Sequence, residues 1–281
     1  MARRFVAGET VDEAIAAIRL LNAQKIAATV DHLGEHVKTA DDVSRATEGY
    51  LLILDKIAAS GVEAHVSLKL TQLGLDLDEA FCLDQMRRIL KRANERRIFI
   101  RMDMESSLYT DRTLDICRKL NQEFGPDRVG VVIQAYLYRS ENDLRNLIAD
   151  RIRVRLCKGA YREPPETAYP NKKDVDANYV RLTHLLLDSA SNGLYHAIAT
   201  HDGKMIQAAV EYAAHHHVTP DQFEFQMLYG IRRDLQRRLV ADGYRVRVYV
   251  PYGTEWYPYL MRRLAERPAN LWFFLSHLAR R

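Results

Sequence analysis

Five short segments of the chain alternate apolar residues with charged or amide ones: VSLKL (66–70), IRMD (100–103), VRLC (154–157), FEFQM (223–227) and VRVYV (246–250). Consecutive side chains of a β-strand point to opposite faces, so each segment has one apolar face and one polar face. Strands of a parallel sheet covered on both sides read instead as nearly continuous apolar runs. One face of these strands therefore meets helices, while the other encloses Lys, Asp, Arg, Glu, Gln and Tyr. Unpaired buried charge is costly, so that face calls for ion pairs or a polar ligand, as an active site does.

Strand-like and helix-like stretches alternate along the chain without a linker. The patterns predict strands near 26–31, 63–69, 98–103, 129–134, 153–157, 196–200, 223–227 and 246–250. Helical periodicity lies between them, around 41–60, 77–96, 113–124, 142–148, 174–192, 204–216 and 234–242. Gly61, Gly125, Gly193 and Gly243 punctuate helix ends. Ahead of the first strand, Thr10 with Glu13 three residues later forms a capping box for an extra helix reaching about Asn22. Eight βα units predict a closed (β/α)8 barrel, with a last helix over 255–267 after the eighth strand. Lys69, Asp103, Gln134, Arg155, the pair Thr200 and His201, and Tyr249 then fall at the C-terminal ends of their strands. Barrel enzymes place their chemistry at that rim. Any one of these residues alone reads equally well as half of a structural ion pair; so many at one rim point to a site.

Composition narrows the class. The 281 residues are 47% hydrophobic and 28% charged, ample for a large core, and α/β barrels reach this length as one domain, so 1–281 is expected to be a single domain. The net charge of +4 is mild and no basic block is present, which points away from nucleic acid and toward a small anionic ligand met by local Arg clusters. Cys82, Cys117 and Cys157 are odd in number and lack a CxxC spacing, which suits a reducing cytoplasm rather than a disulfide framework or a zinc site. The first residues lack a signal-peptide core, and a start so close to the first helix also fits a trimmed chain. No apolar stretch approaches the roughly 20 residues that span a bilayer. The short segment 271–278 reads as core helix or, alternatively, as a membrane-surface contact.

Three constellations carry possible chemistry. Tyr259, Arg262, Arg263 and Glu266 lie at i, i+3, i+4 and i+7 and share a helical face, where adjacent arginines could hold a carboxylate; a solvated charged face is the bland alternative. CKGAY (157–161) follows a strand and supplies a cation, a glycine for close approach and an aromatic, which suits a nucleotide phosphate although it matches no established phosphate loop. Lys69 or Lys158 could instead be an imine-forming lysine of an aldolase-like lyase, and a non-catalytic flavin- or anion-binding module is a further alternative. His215, His216 and His217 are consecutive on a helix and point apart, so they read as an exposed helix end and no metal is expected. Asp31, His32 and His36 do not make the HxH pair of metal-dependent barrel hydrolases.

The chain resembles the proline dehydrogenase family, in its compact monofunctional bacterial form. The resemblance is carried by VSLKLTQLG (66–74), RMDMESS (101–107), VIQAYLYR (132–139), VRLCKGAYRE (154–163), ATHD (199–202), FEFQMLYG (223–230) and YVPYGTEWYPYLMRRLAERP (249–268), in order across the whole chain and without departure from the motifs. It implies an FAD-dependent barrel that oxidises L-proline to 1-pyrroline-5-carboxylate and passes electrons to a quinone. By the same resemblance, Lys69 and Asp103 match an ion pair beside the substrate, and Arg155 an arginine near the flavin N5. Arg262 and Arg263 match the pair gripping the proline carboxylate, Glu266 their partner, and Tyr249 and Tyr161 walls of the proline pocket. Met104, Gln134, Lys158, Gly159, Ala160, Thr200 and His201 match FAD-contacting positions. The last helix would lie over the barrel mouth. A cytoplasmic protein, in transient contact with the inner face of the cell membrane, is implied by a lipid-soluble acceptor. The extra activities of the large bifunctional relatives, aldehyde dehydrogenation and transcriptional control, are not expected.

Overall fold

The computed structural model describes residues 4–265. An opening helix α1 (Val11–Asn22) precedes β1 (Ala27–His32), α2 (Ala40–Ser60), β2 (Ala64–Leu68), α3 (Glu79–Arg96) and β3 (Ile100–Met102). The alternation continues through α4 (Thr110–Phe124), β4 (Val129–Gln134), α5 (Ser140–Ala149), β5 (Arg153–Cys157) and α6 (Lys172–Ala190). It ends with β6 (His196–Ala199), α7 (Gly203–His215), β7 (Phe223–Leu228), α8 (Arg233–Ala241), β8 (Arg245–Tyr252) and α9 (Trp256–Ala265). The eight strands form a closed parallel barrel in sequence order, sealed by β1 pairing with β8. The expected (β/α)8 architecture is the one observed.

Local chemistry explains the boundaries. Thr10 and Glu13 cap α1 reciprocally: the Glu13 N–H donates to Thr10 Oγ1 at 3.3 Å, and the Thr10 N–H to Glu13 Oε2 at 3.1 Å. Thr39 and Asp78 cap α2 and α3. Gly61 closes α2 in the left-handed conformation at φ 66°, which a Cβ would disfavour. β3 is shorter than its pattern at both ends, yet Asp103 N–H still donates to Leu68 O of β2 at 2.8 Å, which holds Asp103 at the rim in line with the strand. β8 is longer, since Pro251 and Tyr252 stay in register with Asp31 and His32.

Register fixes which residues look inward. In a parallel ladder paired residues share a face. Asp31 pairs with Ser67, Ser67 with Arg101, Val132 with Arg155, and Thr29 with Tyr249. These line the barrel interior. Their strand neighbours, such as Val30, Leu68, Ile100, Val154 and Val248, are fully buried against the helices. α9 sits on the C-terminal mouth: its Tyr259 and Leu260 are buried, and the Tyr259 ring stacks on Tyr249 with centroids 6.5 Å apart. The helix over the mouth is thus observed.

Candidate active site

A cavity of about 420 Å³ opens at the C-terminal mouth, under α9. Asp103, Arg155, Lys69, Tyr161 and Tyr249 line it, as do Met104, Gln134, Lys158, Gly159, Ala160, Thr200 and His201. These twelve come from six different strands or the loops that follow them, so barrel closure alone brings them together. Arg262 and Arg263 lie on α9, with side chains outside the described residues, as is Glu266.

The cavity floor is a charged network. Lys69 Nζ donates to Asp31 Oδ2 at 3.0 Å and lies 3.9 Å from Asp103 Oδ2. Tyr249 OH is hydrogen-bonded to Asp31 Oδ2 and lies 3.2 Å from Asp103 Oδ2. Asp103 Oδ1 accepts from Arg155 Nη1 at 2.8 Å and from Ser67 Oγ at 2.7 Å. Arg155 Nε donates to Gln226 Oε1, and its guanidinium lies 5.6 Å from the Tyr249 ring centroid. Two cations thus face two carboxylates in a buried site. The ion pair expected between Lys69 and Asp103 is present, at 3.9 Å. Asp31 is the nearer partner, because β1 sets it across the barrel seam from Tyr249 and beside Lys69.

Burial and charge pull these groups in definite directions. Burial penalises the Lys69 ammonium, but Asp31 and Asp103 together outweigh it and raise its pKa above the ordinary lysine value. Burial raises the Asp31 carboxyl even though Lys69 and Tyr249 both hydrogen-bond to it. Burial, then the charges of Asp31 and Asp103, push the Tyr249 phenol well up, so it remains a donor. Arg155 is 7% exposed, and its Nη2 is buried without a hydrogen-bond partner among the described residues. An orphaned guanidinium N–H beside a cavity is a ready donor to a bound acceptor.

The upper wall is built from loops. Gln134 Nε2 donates to Glu105 O at 2.9 Å, while its Oε1 accepts from Ala160 N at 3.3 Å. Gly159 has φ +131°, and a Cβ there would fall 2.3 Å from Cδ1 of Tyr136, so only glycine fits. Lys158 is ion-paired with Asp176 and, at 2.9 Å, with Asp202; Lys172 shares both carboxylates. Thr200 Oγ1 accepts from Asp202 N at 3.1 Å, and His201 Nε2 accepts from Leu228 N at 2.8 Å. The histidine run at 215–217 takes no part, and His216 stacks on Tyr212. Asp31, Ser67, Asp176 and Asp202 were not nominated by sequence reasoning, whereas Tyr259 was, through the face it shares with Arg262 and Arg263. Asp31 and Ser67 obey the same two-residue alternation that marked the other strands; Asp176 and Asp202 carry no such signal.

A closed (β/α)8 barrel with a roofed, charge-lined pocket at its C-terminal mouth is an enzyme scaffold, and comparison specifies which. Residues 14–275 match the family model described as Proline dehydrogenase. Proline dehydrogenase 1 of Bacillus subtilis (strain 168) is 42% identical over 280 residues, covering 100% of this chain and 91% of that protein. Proline dehydrogenase of Deinococcus radiodurans is 43% identical over 279 residues, covering 98% and 89%. Among solved structures, proline utilization A (PutA) from Bdellovibrio bacteriovorus, inactivated by N-propargylglycine, superposes with a TM-score of 0.88 at 28% identity. The match covers 94% of this chain, which spans only 32% of that much longer one. The chain belongs to the proline dehydrogenase family.

Proposed function

We propose that this chain, acting as a single barrel domain, oxidises L-proline to 1-pyrroline-5-carboxylate with FAD bound in the mouth cavity and delivers the electrons to a quinone. The observation that carries the proposal is the buried Lys69–Asp31–Tyr249–Asp103–Arg155 network flooring that cavity in a chain of this family. The residues fit the cofactor in two respects. Arg155 Nη2 offers a buried donor with no protein partner, suited to an electron-rich ring atom. Gly159, packed on the Tyr136 ring where no Cβ fits, keeps the 158–161 backbone along the cavity wall. Met104, Gln134, Ala160, Thr200 and His201 would line the flavin, with Lys158 facing its phosphates.

Bound there, FAD would supply the hydride acceptor. The protein's part is orientation and field. Arg262 and Arg263, aided by Glu266 and Lys69, would grip the proline carboxylate, while Tyr249 and Tyr161 close around the ring. Holding the reacting carbon in one pose supplies several kcal/mol of barrier reduction. Arg155 fixes positive charge where negative charge gathers, with Asp103, Ser67 and Gln226 preventing it from turning away. Asp103 also faces the proton that the amine must release.

Two alternatives fare worse. An imine-forming lysine needs a depressed pKa, whereas Lys69 is raised by two carboxylates. A non-catalytic flavin module gives no reason for a buried Lys–Asp–Tyr network. The visible spectrum of the protein, before and after anaerobic proline, tests the proposal. A yellow protein bleached by L-proline is expected; a colourless protein, or flavin that proline leaves oxidised, refutes it. No described helix is long and apolar enough to cross a membrane, so reaching a lipid-soluble quinone from the cytoplasm would require transient surface contact. The segment 271–278, one place for such contact, lies outside the described residues.

A further inference from the structure

Four cavity residues, Lys158, Gly159, Ala160 and Tyr161, sit on the loop between β5 and α6, which contributes no helix or strand of its own to hold them. Such a segment keeps its shape only where it is tied down. Tyr136, just beyond β4, supplies the first ties. Its N–H donates to Lys158 O at 2.8 Å and its carbonyl accepts from Tyr169 N at 2.8 Å. Its ring lies where a Gly159 Cβ would be, and its hydroxyl is reached by the Tyr161 backbone N–H. That hydroxyl is in turn 3.4 Å from Glu163 Oε1.

Glu163 carries the connection out of the loop. Its Oε1 accepts from Ser107 N at 2.7 Å and its Oε2 from Ser107 Oγ at 2.6 Å. Ser107 opens the 3-10 turn that runs directly into α4, so its N–H is one of the donors a helix start leaves unsatisfied. A carboxylate there is favoured by both hydrogen bonding and the helix dipole. The chain of contacts therefore runs from a helix start, through Glu163 and the Tyr136 hydroxyl, to the backbone of a pocket tyrosine.

We propose that Glu163 is a positioning residue: by bridging Ser107 and Tyr136 it fixes Tyr161 and the 158–161 segment as one wall of the substrate pocket. The identity of the substrate rests on the function proposed above; the bridge does not. Glu163 touches neither reacting atom nor cavity, so its removal should loosen ground-state binding and spare the chemical step. A lost charge-assisted bidentate contact corresponds to about a tenfold effect or more.

The test compares wild type with Glu163→Ala, Glu163→Gln and Ser107→Ala as full-length purified proteins. Hydrogen exchange is expected to accelerate about tenfold in Glu163→Ala at the amides of Tyr161 and Ser107, with the barrel strands unchanged. With L-proline, KM should rise about tenfold while kcat stays within about twofold, and Glu163→Gln, which retains an acceptor, should recover much of the loss. Ser107→Ala should reproduce part of the effect, and adding it to Glu163→Ala should change little more. Unchanged protection at Tyr161, or an unchanged KM in Glu163→Ala, overturns the proposal. If wild type itself fails to oxidise proline, the functional reading fails, and the exchange result alone decides whether Glu163 holds the loop.

Discussion

Replacing Lys69 with methionine removes the cation between two acidic side chains while keeping the volume of the stem. Asp31 is fully buried and Lys69 is 5% exposed, so water cannot substitute for the lost ammonium. Breaking one partner out of a buried pair costs about 3–5 kcal/mol. The protein has one escape, protonation of Asp31, which burial already biases upward. Without Lys69, a cause that lowers the Asp31 pKa disappears, and the folded value climbs further above the unfolded value near 3.8. Between those two values the folded chain holds one proton more than the unfolded chain, so stability falls as pH rises, by about 1.36 kcal/mol per unit. The stability deficit of Lys69→Met relative to wild type should therefore be largest near neutral pH and shrink as the pH falls toward the unfolded value near 3.8, by up to about 1.36 kcal/mol per unit. Urea denaturation followed by circular dichroism at several pH values between these limits reads this directly, and groups common to both proteins cancel in the difference. Adding Asp31→Asn to Lys69→Met should abolish the pH dependence of the deficit. A deficit that stays flat with pH would refute Asp31 as the buried acid that Lys69 keeps ionised.

Arg262→Met or Arg263→Met should leave the protein yellow while raising the proline KM by about tenfold or more, the effect of losing charge-assisted carboxylate contacts; an unchanged KM in either variant refutes the carboxylate clamp. Tyr249→Leu removes the phenol that is hydrogen-bonded to Asp31 and opens the pocket wall, so steady-state kinetics should show hydroxyproline gaining ground on proline. Should both substrates fall in parallel, Tyr249 is not the wall that selects between them. Gly159→Ala places a Cβ 2.3 Å from the Tyr136 ring at φ +131°, and the purified protein should carry markedly less flavin per chain by visible absorbance. Full occupancy in that variant would mean that the loop is not the cofactor's seat.

The parts of the site that were legible in the sequence are those that a strand's period dictates. Lys69, Arg155 and Tyr249 follow apolar neighbours at spacing two, and once the helix-facing side was apolar the other side had to enclose them. Asp103 was placed by the same rule, although the strand itself ends one residue earlier at Met102. Asp31 obeys the rule as well, with Thr29 two residues earlier, but a single acidic residue in a mainly apolar strand carries little weight on its own. Its importance comes from closure: β1 pairs with β8 as well as β2, which sets Asp31 against a tyrosine 218 positions away and a lysine 38 positions away. Neither separation leaves a trace in local pattern.

Loop residues were illegible on different grounds. Glu163 lies in a segment with no period to obey, and its partner Ser107 is 56 positions earlier. Asp202 reads as an ordinary cap for α7, which it is, donating nothing in the sequence to suggest that its carboxylate also holds Lys158 from 44 positions away. In a barrel the strands fix direction and the loops fix distance. A period-two pattern can therefore reveal which side chains point at the substrate, whereas the side chains that set how tightly the pocket closes on it are determined by contacts between successive βα loops. This predicts that substitutions at Asp31 or Arg155 act first on the barrel's electrostatics and the chemical step. Substitutions at Glu163, Ser107 or Asp202 should act first on the affinity for what the mouth holds, a division that kcat and KM measured across the two sets would expose.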